Sequence, residues 1–384
     1  MKKLQQRVQY QLAELAAAGL RRHLHPPAGV DLSSNDYLGL AAHPKLKECM
    51  AEAVLREGCG STASRLLRGQ RAIFAHIEQR FAAFKQTESA LYFGSGYAAN
   101  LGVLTTFLEA DDVVFSDEMN HASMIDGMRL SRARRVIFPH NDGLTLRRLI
   151  EAESGSGQKF LVVESLFGMD GDRAPLAEYA KLCRVTNTAF IVDEAHAVGI
   201  YGARGSGLIE ETAIDQDVFL SINTAGKALG VGGAFVTGAT WAIDYLIQRA
   251  RPFIFSTAPP PAMAAAIDAA LSIIEDEPQR RRQLLERAIR LRELLMESNL
   301  PVQPGDSQII PVILGDNTRA VAVAARMQQA GFDVRAIRPP TVPPGTARLR
   351  ISVNVNLDET TLRRFAETLI AALAETSLCS VASL

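Results

Sequence analysis

Apolar residues in this chain recur at two spacings, and the switch between them outlines the fold. At the start, Leu4, Val8, Leu12 and Leu15 repeat at helical intervals. Arg21-Arg22-His23 is expected to close that helix ahead of Pro26-Pro27. Positions 30–40 read as extended and turn-rich. From about Pro44 to Ala270, short apolar runs alternate with helical patterns. Strands are predicted at 90–93, 113–116, 136–138, 160–164, 190–193, 218–222 and 234–237. This alternation predicts an α/β fold with a mainly parallel seven-stranded sheet flanked by helices, its site at the carboxyl ends of the strands.

The pattern changes after Pro259-Pro260-Pro261. Helical stretches are predicted at 262–274 and 280–298, separated at Pro278. Strand-like 309–314, helix 318–330, strand-like 334–336 and 348–353, and a last helix carrying Leu362, Phe365, Leu369 and Leu373 follow. The expected organisation is an N-terminal helix and extended segment over 1–43, a large domain over 44–270 and a smaller α+β domain with an antiparallel sheet over 271–384.

Composition narrows the function. Lys plus Arg number 41 and Asp plus Glu 42, so the net charge of −1 argues against a nucleic-acid partner. No apolar run is long enough to cross a bilayer, and the N-terminus lacks the apolar core of a signal peptide. Cys49, Cys59, Cys183 and Cys379 show neither paired framework nor metal-ligand spacing. A cytoplasmic protein with ordinary thiols and no metal is expected.

Two runs carry the strongest chemical signal. Phe190-Ile-Val-Asp-Glu-Ala-His ends an apolar strand on Asp193, with His196 three residues on. Ser221-Ile-Asn-Thr-Ala-Gly-Lys ends another on Lys227, among Gly226, Gly230, Gly232 and Gly233. A lysine that forms an imine needs uncrowded access to an aldehyde, and a strand-end carboxylate can keep a pyridine nitrogen protonated; pyridoxal phosphate chemistry asks both of a protein. Taken singly, each has a plainer reading: Asp193 as a helix cap, His196 as a structural histidine, Lys227 as a surface lysine. Thr224 is spaced to reach a phosphate, or is a solvent-facing turn residue.

Gly94-Ser-Gly-Tyr-Ala-Ala-Asn follows a strand and opens a helix, as an anion cradle or simply as a tight turn. It fails the dinucleotide fingerprint, which wants a third glycine. His121 reads as a ring-stacking group or a helix cap. Arg348 and Arg350 fall on one face of a strand beside a proline-rich loop, as a fork for a carboxylate or as a solvated face; spacing alone favours the solvated face.

Together, Ser33-Ser-Asn-Asp-Tyr-Leu-Gly-Leu, Gly94-Ser-Gly-Tyr-Ala-Ala-Asn, Asn120-His-Ala-Ser, Met169-Asp-Gly-Asp, Val192-Asp-Glu-Ala-His, Thr224-Ala-Gly-Lys, Phe255-Ser-Thr and Arg338-Pro-Pro-Thr-Val-Pro resemble the α-oxoamine synthases, a family of fold-type I pyridoxal 5'-phosphate enzymes. The likeness runs from about Leu20 to Val353. It implies decarboxylative condensation of an amino acid with an acyl thioester. The 336–350 run is most similar to members that join L-alanine to a pimeloyl thioester, carried on coenzyme A or an acyl carrier protein. Glycine-using members with acetyl-CoA or succinyl-CoA are the alternative.

The resemblance also implies roles. Lys227 binds the cofactor aldehyde and moves protons, Asp193 pairs with the pyridine nitrogen, His121 stacks on the ring and His196 lies at the phenolic oxygen. Gly96, Tyr97 and Thr224 take the phosphate. Thr257 reaches the phosphate of a neighbouring subunit, implying a homodimer with shared sites. Asn35 and Arg350 hold the amino-acid carboxylate, Arg21 meets the end of the acyl chain, and Thr341 belongs to the substrate loop. In one departure, Gly168 stands before Met-Asp-Gly-Asp where the family usually has serine. In another, only residues 26–30 link the first helix to the Ser-Ser-Asn-Asp-Tyr motif, where a short hairpin is common. A nicotinamide-dependent oxidoreductase and an inactive scaffold are the readings from other classes.

Overall fold

Runs such as Phe160-Leu-Val-Val and Phe190-Ile-Val contain no polar position, so a strand made from them must be covered on both faces. The computed structural model describes residues 1–298, 300 and 302–381, with 377–381 as backbone only, so the side chain of Cys379 lies outside the described residues. Its strands, in chain order, are β1 (Val30–Asp31), β2 (Ser89–Phe93), β3 (Val113–Asp117), β4 (Arg134–Phe138), β5 (Lys159–Glu164), β6 (Thr188–Asp193), β7 (Leu220–Thr224), β8 (Ala234–Gly238), β9 (Ile309–Gly315), β10 (Phe332–Asp333), β11 (Ala336–Ile337) and β12 (Ala347–Ser352). All seven strands predicted between 90 and 237 form, and they make one sheet in the order β2-β8-β7-β6-β5-β3-β4. Only β8 runs antiparallel to its neighbours β2 and β7; the other pairs are parallel.

The chain divides into two compact units, 38–168 with 172–281, and 1–37 with 169–171 and 282–384. In the first, one face of the sheet is packed by helices Gly96–Phe107, Ala122–Leu130 and Thr240–Arg249. Val103, Leu104, Met124, Met128, Leu246, Ile191 and Ile222 form its core. Each such side chain stabilises the fold by about 1.5–3 kcal/mol relative to exposure. Helix Pro44–Glu57 packs on helix Pro261–Asp276 within the same unit. Asp117, Glu164, Asp193 and Thr224 are the last residues of β3, β5, β6 and β7, so polar groups collect where the apolar runs stop.

In the second unit, β11-β12-β9 form an antiparallel sheet. Helices Asn317–Gln329 and Glu359–Val381 pack together, the former also on β12. The N-terminal segment belongs to this unit: β1 pairs in parallel with β10, Val30 opposite Phe332.

The first helix is Lys2–Ala17 and stops sooner than the basic triplet suggests. Gly19 takes φ +66, and the N–H groups of Gly19 and Leu20 donate to Ala16 and Leu15 carbonyls. That pattern ends a helix through glycine, and Arg21 lies beyond it. Leu4, Val8, Leu12 and Leu15 are all exposed in this chain. Among the described residues, no helix is long and apolar enough to cross a membrane.

Candidate active site

The carboxyl ends of β5, β6 and β7 gather a polar cluster in a sheet that is otherwise apolar. Asp193 is buried. Its Oδ1 accepts the N–H of Ala195 at 2.8 Å, and its Oδ2 accepts Asn100 Nδ2 at 2.8 Å. It closes a strand and caps no helix. The turn that follows is held by Glu194, which is fully buried. Lys85 Nζ donates to Glu194 Oε2 at 2.5 Å, and the N–H groups of Leu208 and Ile209 donate to Oε1. A carboxylate so saturated fixes the backbone that carries His196.

Lys227 is half-buried, and its Nζ lies 2.7 Å from His196 Nε2. Thr224 is buried and faces no open solvent. Its Oγ1 accepts the Gly226 N–H at 3.2 Å and donates to the Gly233 carbonyl at 3.3 Å. A β-carbon placed on Gly96 would lie 3.7 Å from Thr224 Cβ, so the glycine turn and this hydroxyl are neighbours. Ser95 caps helix Gly96–Phe107 by accepting the Ala98 N–H. The helix offers no acceptor to the first N–H groups, those of Gly96 and Tyr97, and its positive end favours an anion there.

His121 turns out to be both of the things its sequence allowed. It caps helix Ala122–Leu130, Nδ1 accepting the Ser123 N–H, and it is exposed. Tyr97 stands edge-on to it with ring centres 6.5 Å apart, its hydroxyl bonded to Asp126. A chain of hydrogen bonds joins His121 to Asp193: His121 Nδ1 to Ser123 Oγ at 2.7 Å, Asn100 Nδ2 to the same Oγ at 3.0 Å, and Asn100 on to Asp193. Neither Asn100 nor Ser123 was singled out from sequence. The available signals were that Asn100 sits one helical turn after Gly96 and Ser123 two residues after His121.

Glu164 is a third residue the sequence did not flag. It lies directly across from Asp193 in the β5–β6 register and is buried. Burial, then the charge of Asp193, pushes its carboxyl up to about 8; Lys227 and the N–H groups of Gly168 and His121 oppose. Desolvation by the surrounding protein lowers the pKa of His121; Asp193 opposes this and Lys227 adds to it. The cluster is thus electrostatically one site, with an amine, a carboxylate, an imidazole and an anion cradle within it.

In the unit that holds residues 1–37 and 282–384, Arg348 and Arg350 are both buried, which removes the solvated-face reading. Burial of each cation is supported by partners. Arg348 Nη1 bonds Asp170. Arg350 Nη1 donates to Ser352 Oγ at 2.6 Å and Nη2 to the Tyr37 hydroxyl at 3.1 Å; that hydroxyl donates to Asn35 Oδ1 at 3.0 Å. Asn35 and Arg350 therefore share one network through Tyr37. Arg21 and Thr341 are exposed in this unit, and Thr257 is exposed in the other.

A model of the family described as aminotransferase class I and II matches residues 27–369. The chain is 43% identical over 369 residues to an 8-amino-7-oxononanoate synthase of Geobacter sulfurreducens, covering 92% of this chain and 94% of that protein. It is 45% identical over 379 residues to another of that name from Anaeromyxobacter sp. (strain K), covering 95% of each. This chain belongs to the 8-amino-7-oxononanoate synthase family. Within the wider aminotransferase class I and II fold, it superposes on a serine palmitoyltransferase from S. paucimobilis, solved with PLP and myriocin bound. The TM-score is 0.90 at 25% identity, with 97% of this chain and 98% of that one covered.

The donor set suits the cofactor of that neighbour. Pyridoxal phosphate presents an aldehyde, a pyridine nitrogen and a phosphate; the cluster presents an amine, a buried carboxylate and a helix N-terminus beside a hydroxyl.

Proposed function

We propose that this chain is a pyridoxal phosphate-dependent acyltransferase that condenses L-alanine with a pimeloyl thioester. The products are 8-amino-7-oxononanoate, carbon dioxide and the free thiol carrier, a step of biotin biosynthesis. The observation that carries this reading is the Lys227 amine, held 2.7 Å from His196 beside the Asp193 carboxylate in a chain so similar to synthases of that name. When bound, the cofactor supplies a sink for the electron pair released at the alanine α-carbon.

The protein's own part is binding, orientation and proton movement. Asp193, fixed by Asn100 and Ala195, would keep a pyridine nitrogen protonated. The N–H groups of Gly96 and Tyr97 with the Thr224 hydroxyl would hold the phosphate, and the exposed His121 ring would cover one face of the pyridine. Lys227 Nζ takes the proton from the alanine α-carbon and returns it after carbon dioxide leaves. His196 Nε2 is the hydrogen-bond partner at that amine. Arg350, backed by Tyr37 and Asn35, is the carboxylate holder in this reading. Arg21 and Thr341 serve the acyl chain.

The exposed Thr257 fits a role toward the phosphate of a second subunit, so we read the protein as a homodimer. The scattered cysteines fit a cytoplasmic home. Similarity to the named synthases does not favour the glycine-using alternative.

Product analysis with L-alanine and pimeloyl-CoA tests the reading, with glycine and acetyl-CoA as the opposing pair and pimeloyl-acyl carrier protein as a second donor. Lys227→Ala is expected to abolish turnover, about 10⁴-fold or more, with an unchanged circular dichroism spectrum. Turnover by that variant, or product only from glycine, would overturn the assignment.

A further inference from the structure

Gly168 follows β5 by four residues and meets His196 with no space between them. A β-carbon built on Gly168 would lie 2.4 Å from His196 Nε2, 3.0 Å from Cδ2 and 3.1 Å from Cε1. Ordinary contact between such atoms needs about 3.5–4.0 Å. The imidazole therefore fills the volume that any side chain at 168 would require. Neither partner can retreat without loss. The Gly168 N–H donates to the buried Glu164 Oε2 at 3.3 Å. The nitrogen nearest the missing β-carbon is the one that meets Lys227 Nζ.

We infer that Gly168 is a positioning residue for Lys227: its absent side chain admits the imidazole that holds the amine, and any β-carbon at 168 displaces that imidazole. The inference rests on the reading of Lys227 as the reacting amine only for its bearing on catalysis. The other charged or titratable groups whose fields reach this site are Asp193 at the end of β6, Glu164 at the end of β5, and His121. A substitution at 168 leaves all three in the chain, so a change at the amine reports the imidazole.

The test compares Gly168→Ala, His196→Ala and the double variant. Lys227 in the cofactor-free chain is acylated with acetic anhydride across a pH series, and the modified peptide is quantified by mass spectrometry. Only the neutral amine reacts. Loss of the imidazole acceptor destabilises the ammonium, so each single variant is expected to lower the midpoint by about one pH unit. With cofactor and substrates, each is expected to lower kcat about tenfold. Gly168→Ala added to His196→Ala should change neither quantity, because no ring remains to displace. Should Gly168→Ala melt early, the double variant is expected to recover the melting temperature of His196→Ala. An unchanged midpoint in Gly168→Ala, additive effects in the double variant, or no such recovery would overturn the inference. A wild-type chain that borohydride cannot link to pyridoxal phosphate at Lys227 would instead overturn the functional reading, while the acylation midpoints still judge this one.

Discussion

Two aspartates end parallel strands of the same sheet, each with histidines nearby, and they have opposite characters. Asp117 ends β3 and is closed off. Its Oδ1 meets His140 Nδ1 at 2.9 Å and the Met119 N–H at 2.8 Å, while Oδ2 accepts the Asn141 N–H. The second nitrogen of His140 meets Asp172 Oδ2 at 2.7 Å. Burial opposes protonation of His140, but bonds and charges from Asp117 and Asp172 prevail and push it up to about 10. Asp193 ends β6 and is held by neutral donors, Asn100 and the Ala195 N–H, with the Lys227 amine and an exposed imidazole in electrostatic reach. A carboxylate locked against an imidazolium has spent its attraction within the fold. A carboxylate oriented by neutral groups keeps its charge for a cation brought from outside. The lesson is that an Asp–His pair at a strand end is a site only where the fold leaves it uncompensated.

The sharpest way to break this comparison is to neutralise each aspartate in turn. Asp193→Asn is expected to lower kcat about 10³-fold with little change in melting temperature. Asp117→Asn should do the reverse, leaving kcat within about threefold and costing about 2 kcal/mol of stability, since it strips the buried partner of an imidazolium. Equal kinetic losses in the two variants would show that the contrast has no functional content.

A smaller effect is expected at Arg350, which like Asp193 is oriented by neutral groups. Arg350→Ala should raise the KM for alanine about tenfold while the KM for the thioester moves little. Its neighbour in the strand, Arg348, is already paired with Asp170. Arg348→Ala is therefore expected to weaken the fold and spare the alanine KM. Steady-state kinetics with each substrate varied separately decide this.

The smallest effect is a pH slope. His140 titrates near 6.5 when unfolded and at about 10 in the fold. Its contribution to stability is whole below pH about 6.5 and is lost as pH rises through about 10. Melting temperatures across that window should fall more steeply for the wild-type chain than for His140→Gln. Parallel curves would mean that the Asp117 cluster does not hold a proton.

Much of this could be read from the chain alone. The seven strands of the main sheet were legible because a strand covered on both faces must be apolar throughout, and few other structures use such short runs. Lys227, Asp193, His196 and Thr224 were legible because a polar residue ending an apolar run is costly unless something uses it. Asn100, Ser123 and Glu164 were not, because a polar residue on a helix or strand end says nothing of which charge it will face. The end of the first helix was misjudged because Gly19 in a left-handed turn outranks a basic triplet in stopping a helix. Two decisions belonged wholly to the tertiary structure. It buried Arg348 and Arg350 with partners distant in the chain, and it set the His196 ring where Gly168 has no side chain. Hydrophobic periodicity is a local property and survives in the sequence; compensation of charge and exclusion of volume depend on which distant residues meet, and only the folded chain decides that.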